Sequence, residues 1–161
     1  KDGARLRKEL QSLIDQDIQH GGEYQLPDAL RRMTDAGLRF QPGEVDVWMD
    51  CGNKPITVET NARLLAYAGE NAIDPTAEIT DSVVIPPCFI GPGARVDRCV
   101  IGPHVTIGSG TVVADSRVEN ALIQNDSTIT NARLSGAMIG NHAEVKGTAY
   151  DLSIGDYSSV S

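Results

Sequence analysis

From residue 72 to the end of the chain, aliphatic residues return every five or six positions. The series runs Ile73, Ile79, Val84, Ile90, Val96, Ile101, Ile107, Val113, Val118, Ile123, Ile129, Leu134, Ile139, Val145, and then Ile154 and Val160. Two residues before most of them stands a small side chain: Ala77, Ser82, Cys88, Ala94, Cys99, Thr111, Ser116, Ala121, Ser127, Ala132, Ala137 and Ala143. Gly91, Gly102, Gly108, Gly140 and Gly155 follow directly after five of the aliphatics. No helix has this period, and a hairpin has no reason to keep it. A hexapeptide repeat accounts for all three columns, each hexad giving one short strand and one turn, and three hexads closing one coil of a triangular solenoid. The aliphatic residue points into the prism, and its small partner shares that face near a narrowing corner. Glycine is expected to supply turn conformations that a side chain would oppose. One column, Ile73, Ile90, Ile107, Ile123, Ile139 and Ile154, advances by 17, 17, 16, 16 and 15 residues, as stacked coils require.

The first 71 residues follow other rules. Leu6, Leu10, Leu13, Ile14 and Ile18 form one helical stripe that ends at "HGGE", residues 20–23. "LPDALRRM" opens a second helix with Pro27 in its first turn, and Gly37 stops it. Short strands are predicted over 38–40 and 44–49, the latter from the alternation of Val45, Val47 and Met49 with Glu44, Asp46 and Trp48. A third helix is predicted over 55–67, closing at Gly69. Three helices and two strands do not complete a sheet covered on both faces, so this half reads as an incomplete α/β unit.

Composition narrows the function classes. The chain carries 22 acids against 14 bases, a net charge of −8, and so lacks the basic excess of a nucleic-acid binder. It holds no apolar run near the roughly 18 residues of a membrane span. Cys51, Cys88 and Cys99 form no C-x-x-C pair and leave an odd count, which reads as reduced thiols in a cytoplasmic protein. The solenoid register makes Cys88 and Cys99 small core residues. The first residue is Lys1 and no signal peptide is visible, so the chain is expected to be part of a longer protein.

"EVDVWMDCGNKP", residues 44–55, sets a carboxylate, Asp50, at a strand end just before the turn residues Gly52 and Asn53. Such a carboxylate reaches either a ligand in a cleft or only solvent. His104 and His142 fall at solenoid turns, where polar residues are expected in any case. The basic run Arg5, Arg7 and Lys8 reads as a solvated helix face, and His20 as a helix-end residue favoured by the dipole.

The repeat is similar to the left-handed parallel β-helix, an exception to right-handed crossovers. "GEYQLPDA" at 22–29, "WMDCG" at 48–52, and Asn61 before Leu64 and Leu65 resemble, in order and spacing, the end of the catalytic domain of sugar-phosphate nucleotidyltransferases, the glucose-1-phosphate thymidylyltransferase-like group. The implied organisation is the end of an α/β nucleotidyltransferase domain over 1–56, a connecting helix over 57–71 and the β-helix over 72–161. The implied reaction joins a nucleoside triphosphate to a sugar 1-phosphate, giving an NDP-sugar and pyrophosphate. The resemblance makes Asp50 a Mg²⁺ ligand and places Trp48 in the same cleft, with plain packing on the strand as its other reading. It brings Glu23 and Tyr24 near the sugar, whereas helix N-terminal charge complementarity is the other reading of Glu23. No residue is singled out as catalytic.

The glycine-rich nucleotide loop, the first aspartate of the magnesium pair and the sugar-binding glutamate-lysine segment of that family have no match here. "GPGARV" at 91–96 lies in the hexapeptide register and reads as solenoid turn. The chain by itself is therefore expected to be catalytically silent, with the β-helix serving assembly or regulation and identical copies associating, a trimer favoured. The rival reading is a hexapeptide-repeat acyltransferase using acetyl-CoA and a sugar acceptor, with His104 or His142 as general base. No long loop between hexads shapes an acyl-donor site, and the modest irregularity at "KGTAYDLSIGDY" (146–157) is the nearest candidate.

Overall fold

The structure, a computed structural model, describes residues 2–147 and 151–161. The chain divides into two compact units, one ending at Val47 and the other beginning at Trp48.

The first unit is a helical pair. Helices α1 (Gly3–Asp15) and α2 (Leu26–Asp35) pack through the buried side chains Leu13, Ala29 and Met33. The expected apolar stripe outlasts α1. Asp17 takes a left-handed conformation (φ 51°) and the Ile18 amide donates back to the Leu13 carbonyl, which ends the helix before "HGGE". Pro27 and Asp28 occupy the first turn of α2. Gly37 (φ 87°) closes it, with the Leu38 amide donating to Met33 O at 3.0 Å. The strands expected over 38–40 and 44–49 are absent: the backbone there joins no ladder. An alternating pattern makes a strand only when a neighbour takes its hydrogen bonds and covers one face. Val45 and Val47 are instead 67% and 48% exposed, so the alternation buries nothing. Among its described residues this unit therefore consists of two helices and the irregular segments that follow them.

The second unit is the solenoid with one helix laid on it. Among the described residues sixteen short strands, β1 to β16, form three parallel sheets. The first face stacks β1 (Ala72–Ile73), β4 (Cys88–Ile90), β7 (Val105–Ile107), β10 (Ala121–Ile123), β13 (Met138–Ile139) and β15 (Ser153–Ile154). Its register pairs Ile73, Ile90, Ile107, Ile123, Ile139 and Ile154 in sequence, the column read from the repeat. The second face stacks β2 (Glu78–Thr80), β5 (Arg95–Asp97), β8 (Val112–Ala114), β11 (Thr128–Thr130), β14 (Glu144–Lys146) and β16 (Ser159–Val160). The third holds β3 (Val83–Val84), β6 (Val100–Ile101), β9 (Arg117–Glu119) and β12 (Arg133–Ser135). Part of the irregular stretch 146–157, residues 148–150, lies outside the described residues.

The prism interior is mainly aliphatic, and its small column is buried. Ala94, Ala121, Ala132, Ala137 and Ala143 are buried, as are Cys88 and Cys99. The column is not uniformly small. Val105 stands two before Ile107, is completely buried, and is accommodated between Cys88 and Ala121 of the adjacent coils. The hydroxyls in the column are satisfied from the next coil: Ser116 Oγ accepts from Ala132 N (3.0 Å), Ser127 Oγ from Ala143 N (3.1 Å) and Thr111 Oγ1 from Ser127 N (3.2 Å). At one corner Asn125 Oδ1 accepts from Ser109 N, Asn141 Oδ1 from Asn125 N, and Asp156 Oδ1 from Asn141 N, so a polar ladder climbs three coils.

The expectation for the glycines holds at Gly102, which is left-handed (φ 105°), but not at most of the others. Most left-handed corners are held by other residues, among them Asp81, Arg98, His104, Asp115, Asn120, Asp126, Asn131 and His142. Gly91, Gly108 and Gly140 lie outside the left-handed region. They are glycine because the next coil passes so close: a Cβ on Gly108 would lie 2.6 Å from the Gln124 carbonyl carbon, and one on Gly140 2.5 Å from Asp156 N.

Helix α3 (Lys54–Ala68) is capped at one end by Asn53, whose Oδ1 accepts from Ile56 N, and at the other by left-handed Gly69. It packs on β7 and β10 of the first face, where Thr106 Oγ1 donates to Asn61 Oδ1 at 2.6 Å. Its first residue, Lys54, pairs with Asp151, just before the last strand of that face. Its other end runs into β1. Fifteen residues at about 1.5 Å each give about 22 Å. Six strands about 4.8 Å apart span about 24 Å, so α3 matches the height of the face it lies on.

Candidate functional site

The turn after Trp48 is built by its own side chains. Asp50 Oδ1 accepts from the amides of Cys51 (2.7 Å) and Gly52 (3.1 Å), a tight Asx-type turn. A side chain at Gly52 would touch Asp50 Oδ2 at 3.4 Å and cover it in part. The Asp50 carbonyl accepts from Thr60 Oγ1 at 2.6 Å, and Thr60 is only 7% exposed. The turn is thus pinned to α3 at its backbone.

Around it lies an open cleft of about 260 Å³, lined by Trp48, Asp50, Ile56, Glu59, Thr60 and Arg63. Trp48 is 78% exposed, so it presents an indole face and does not pack on a strand. Glu59 and Arg63 form an (i, i+4) ion pair at 2.6 Å on α3. The arrangement offers a flat aromatic surface, a guanidinium, and one carboxylate whose second oxygen makes no hydrogen bond among the described residues. Arg63, Glu59 and Thr60 were not singled out in the sequence. Their signal was the helical phase of "ITVETNARLL", which puts 56, 59, 60 and 63 on one stripe.

Glu23 and Tyr24 belong to the other unit and sit in the turn between α1 and α2. Glu23 and His20 exchange backbone hydrogen bonds, and Glu23 Oε2 accepts from Gln25 Nε2 at 3.2 Å. Tyr24 Oη donates to Asp17 Oδ1 at 2.8 Å and accepts from Gln19 Nε2. His20 is no helix-end residue, since α1 ends at Asp15, and its Nδ1 lies 2.8 Å from Asp28 Oδ2.

The donor set can be weighed for Mg²⁺. Among the described residues no three His, Cys, Asp or Glu side chains gather to hold a metal ion. Mg²⁺ needs no such cage, because it is commonly bound through one or two carboxylates together with water and substrate phosphates. Asp50, with Oδ1 committed to the turn and Oδ2 open, fits that mode as a single ligand.

Both histidines of the rival reading are engaged at solenoid corners. His104 Nδ1 lies 3.2 Å from Asn120 Oδ1, and the His142 ring stacks on Tyr157 with centroids 4.7 Å apart. Cys51 is exposed, whereas Cys88 and Cys99 are buried; all three are free thiols. Burial pushes both buried thiols above the ordinary cysteine range. At another corner Arg98 forks onto Asp115 (2.7 and 2.8 Å) and also meets Asp97. The hydrogen bonds from Arg98 hold the Asp115 carboxyl below its usual range. No described helix is long and apolar enough to cross a membrane.

Residues 65–120 match the family model described as GlmU-like, C-terminal hexapeptide. Two curated proteins named glucose-1-phosphate thymidylyltransferase are similar along most of the chain. The one from Streptomyces griseus is 28% identical over 159 residues, covering 85% of this chain and 45% of its own length. The one from Streptomyces antibioticus is 25% identical over 161 residues, covering 86% and 45%. The chain therefore spans less than half the length of these relatives. The similarity is too extensive to lie within the solenoid alone. Residues 65–120 thus resemble a GlmU-like C-terminal hexapeptide region, and the chain as a whole is similar to proteins named for sugar-phosphate nucleotidyl transfer.

Proposed function

We propose that this chain is the C-terminal part of a sugar-1-phosphate nucleotidyltransferase, which forms an NDP-sugar and pyrophosphate from a nucleoside triphosphate and a sugar 1-phosphate. The observation that carries this reading is the similarity to two thymidylyltransferases over 85% and 86% of the chain, coupled with the pinned Asp50 turn beside Trp48. In such a transfer the sugar phosphate attacks the α-phosphorus in line, and the protein contributes mainly position and charge compensation. Asp50 offers Oδ2 as an oxygen ligand, Trp48 a stacking wall, and Arg63 a cation for phosphate oxygens. When bound, Mg²⁺ would neutralise charge building on the phosphates. Glu23 and Tyr24 are proposed to approach the sugar. The solenoid is proposed to drive self-association through its flat faces, as a trimer.

The test is pyrophosphate release by the complete protein carrying this chain, given glucose 1-phosphate with dTTP, UTP or GTP, and separately acetyl transfer from acetyl-CoA to an amino-sugar phosphate. Nucleotidyl transfer that falls about a hundredfold or more in Asp50→Asn, with unchanged melting, is the expected result. Acetyl transfer without pyrophosphate release would replace this reading by the acyltransferase one. Light scattering of the 161-residue chain should give three copies, and a monomer at micromolar concentration would refute the assembly role.

A further inference from the structure

We propose that Thr60 is a positioning residue for Asp50, and that with its neighbour Asn61 it ties the candidate metal ligand to the solenoid. The inference rests on the reading of Asp50 as a Mg²⁺ ligand. Consecutive residues on a helix point about 100° apart, so Thr60 and Asn61 serve different surfaces. Thr60 reaches outward to the turn and donates to the Asp50 carbonyl at 2.6 Å. Asn61 faces the prism, where its Oδ1 accepts from Thr106 Oγ1 at 2.6 Å.

The Thr60 bond matters because of what it restrains. The 44–53 segment joins no sheet, so nothing in its own backbone fixes where the carboxylate points. The Asx turn orients Oδ1 locally, onto the Cys51 and Gly52 amides, but a turn alone can swing as a unit. The link from the Asp50 carbonyl to a helix held along the solenoid removes that freedom. A mobile side chain in this place would need to be ordered again each time a metal–phosphate complex bound, and that cost would appear as weaker metal binding, so that more Mg²⁺ is needed. Thr57 supplies an internal comparison: its hydroxyl donates to the carbonyl of Asn53, the N-cap of α3, at 2.8 Å and makes no hydrogen bond to Asp50.

The experiment compares Thr60→Val, which keeps shape and loses the donor, with Thr60→Ser, which keeps the donor, and with Thr57→Val. In the 161-residue chain, amide exchange at Cys51 and Gly52 should quicken about tenfold or more in Thr60→Val and return close to wild type in Thr60→Ser. Thr57→Val should leave it unchanged. In the complete protein carrying this chain, the Mg²⁺ concentration giving half-maximal pyrophosphate release should rise several-fold in Thr60→Val only. Unchanged exchange, or an unchanged Mg²⁺ midpoint despite faster exchange, would overturn the positioning role. Equal loss in Thr60→Ser and Thr60→Val would overturn it too, by tracing the effect to packing. Asp50→Asn keeps the two failures apart: a normal Mg²⁺ midpoint in that variant would refute the metal reading itself, whatever Thr60 does.

Discussion

Replacing Gly108 by alanine adds one methyl group, yet the coil above leaves no room for it. The new Cβ would stand 2.6 Å from the Gln124 carbonyl carbon and 2.7 Å from Asn125 N, both backbone atoms. Carbon atoms pack comfortably from about 3.5 Å, so the two coils must separate locally by roughly 0.9 Å. Among the hydrogen bonds that hold them together at this corner, those nearest the new methyl are Gly108 N to Ile123 O and Ser109 N to Asn125 Oδ1, each 2.9 Å long. Stretched by that much, both leave the range of effective bonding. Losing two such bonds at about 1 kcal/mol each, with residual overpacking of about 1–2 kcal/mol, destabilises this point by about 2–4 kcal/mol. Gly155→Ala is the control, because nothing lies within 4 Å of its Cβ position and its φ is not left-handed. There alanine should be neutral or stabilise by about 0.4–1 kcal/mol through the unfolded chain. Urea unfolding followed by circular dichroism measures the difference, and a melt should fall roughly 4–16 °C for Gly108→Ala. Because coils contact chiefly their neighbours, exchange protection should drop most at Ile123 to Ser127. Equal stability of the two variants would refute the claim that these glycines exist for close approach.

Ala132→Leu should cost about 1–3 kcal/mol or more, since it adds carbons to a buried column beside Leu134, and urea unfolding will measure it. Iodoacetamide should label Cys51 alone in the folded protein and all three cysteines in urea, as counted by mass spectrometry. Burial raises the Cys88 and Cys99 thiols above their unfolded value of about 8.5, so their contribution is complete below about pH 8.5 and lost as pH climbs toward the folded values. Stability measured from pH 8 to 11 should therefore decline, and less steeply in Cys88→Ala. Asp115 runs the opposite way: its lowered value supports the fold above about pH 4 and fails below it, and Arg98→Met should return its carboxyl NMR titration to the ordinary range.

The solenoid was readable because each coil repeats the same local demand. An inward aliphatic every five or six residues leaves one closed solution, and the Ile73-to-Ile154 column fell into register as read. Gly91, Gly108 and Gly140 were misread because close approach between coils leaves no mark within a single hexad. Gly108 is explained only by Gln124 and Asn125, sixteen and seventeen residues on. The segment 44–49 failed for a related reason: alternation states which face a strand would bury, but pairing requires a partner that the pattern does not supply. At the candidate site, the turn after Asp50 was legible from Gly52 and Asn53. Thr60 was not, since a threonine in a helix reads as filler until its hydroxyl is seen on the Asp50 carbonyl.

Helix α3 gives this solenoid something most repeat proteins lack, a ruler. Stacked coils are ordinarily free to gain or lose a member, because no contact counts them. Here one end of a rigid rod is joined by a few residues to the first strand, and its other end is fastened by Lys54 to Asp151, five strands up the same face. Removing one complete coil would shorten the face by about 4.8 Å, nearly one helical turn, and leave the rod overhanging its anchor. Adding a coil would lift the anchor out of reach. The number of coils beneath α3 therefore bears on where its first residue is anchored, and a protein assembled from these same hexads in a different number would fold as a prism yet lose the pairing of Lys54 with Asp151.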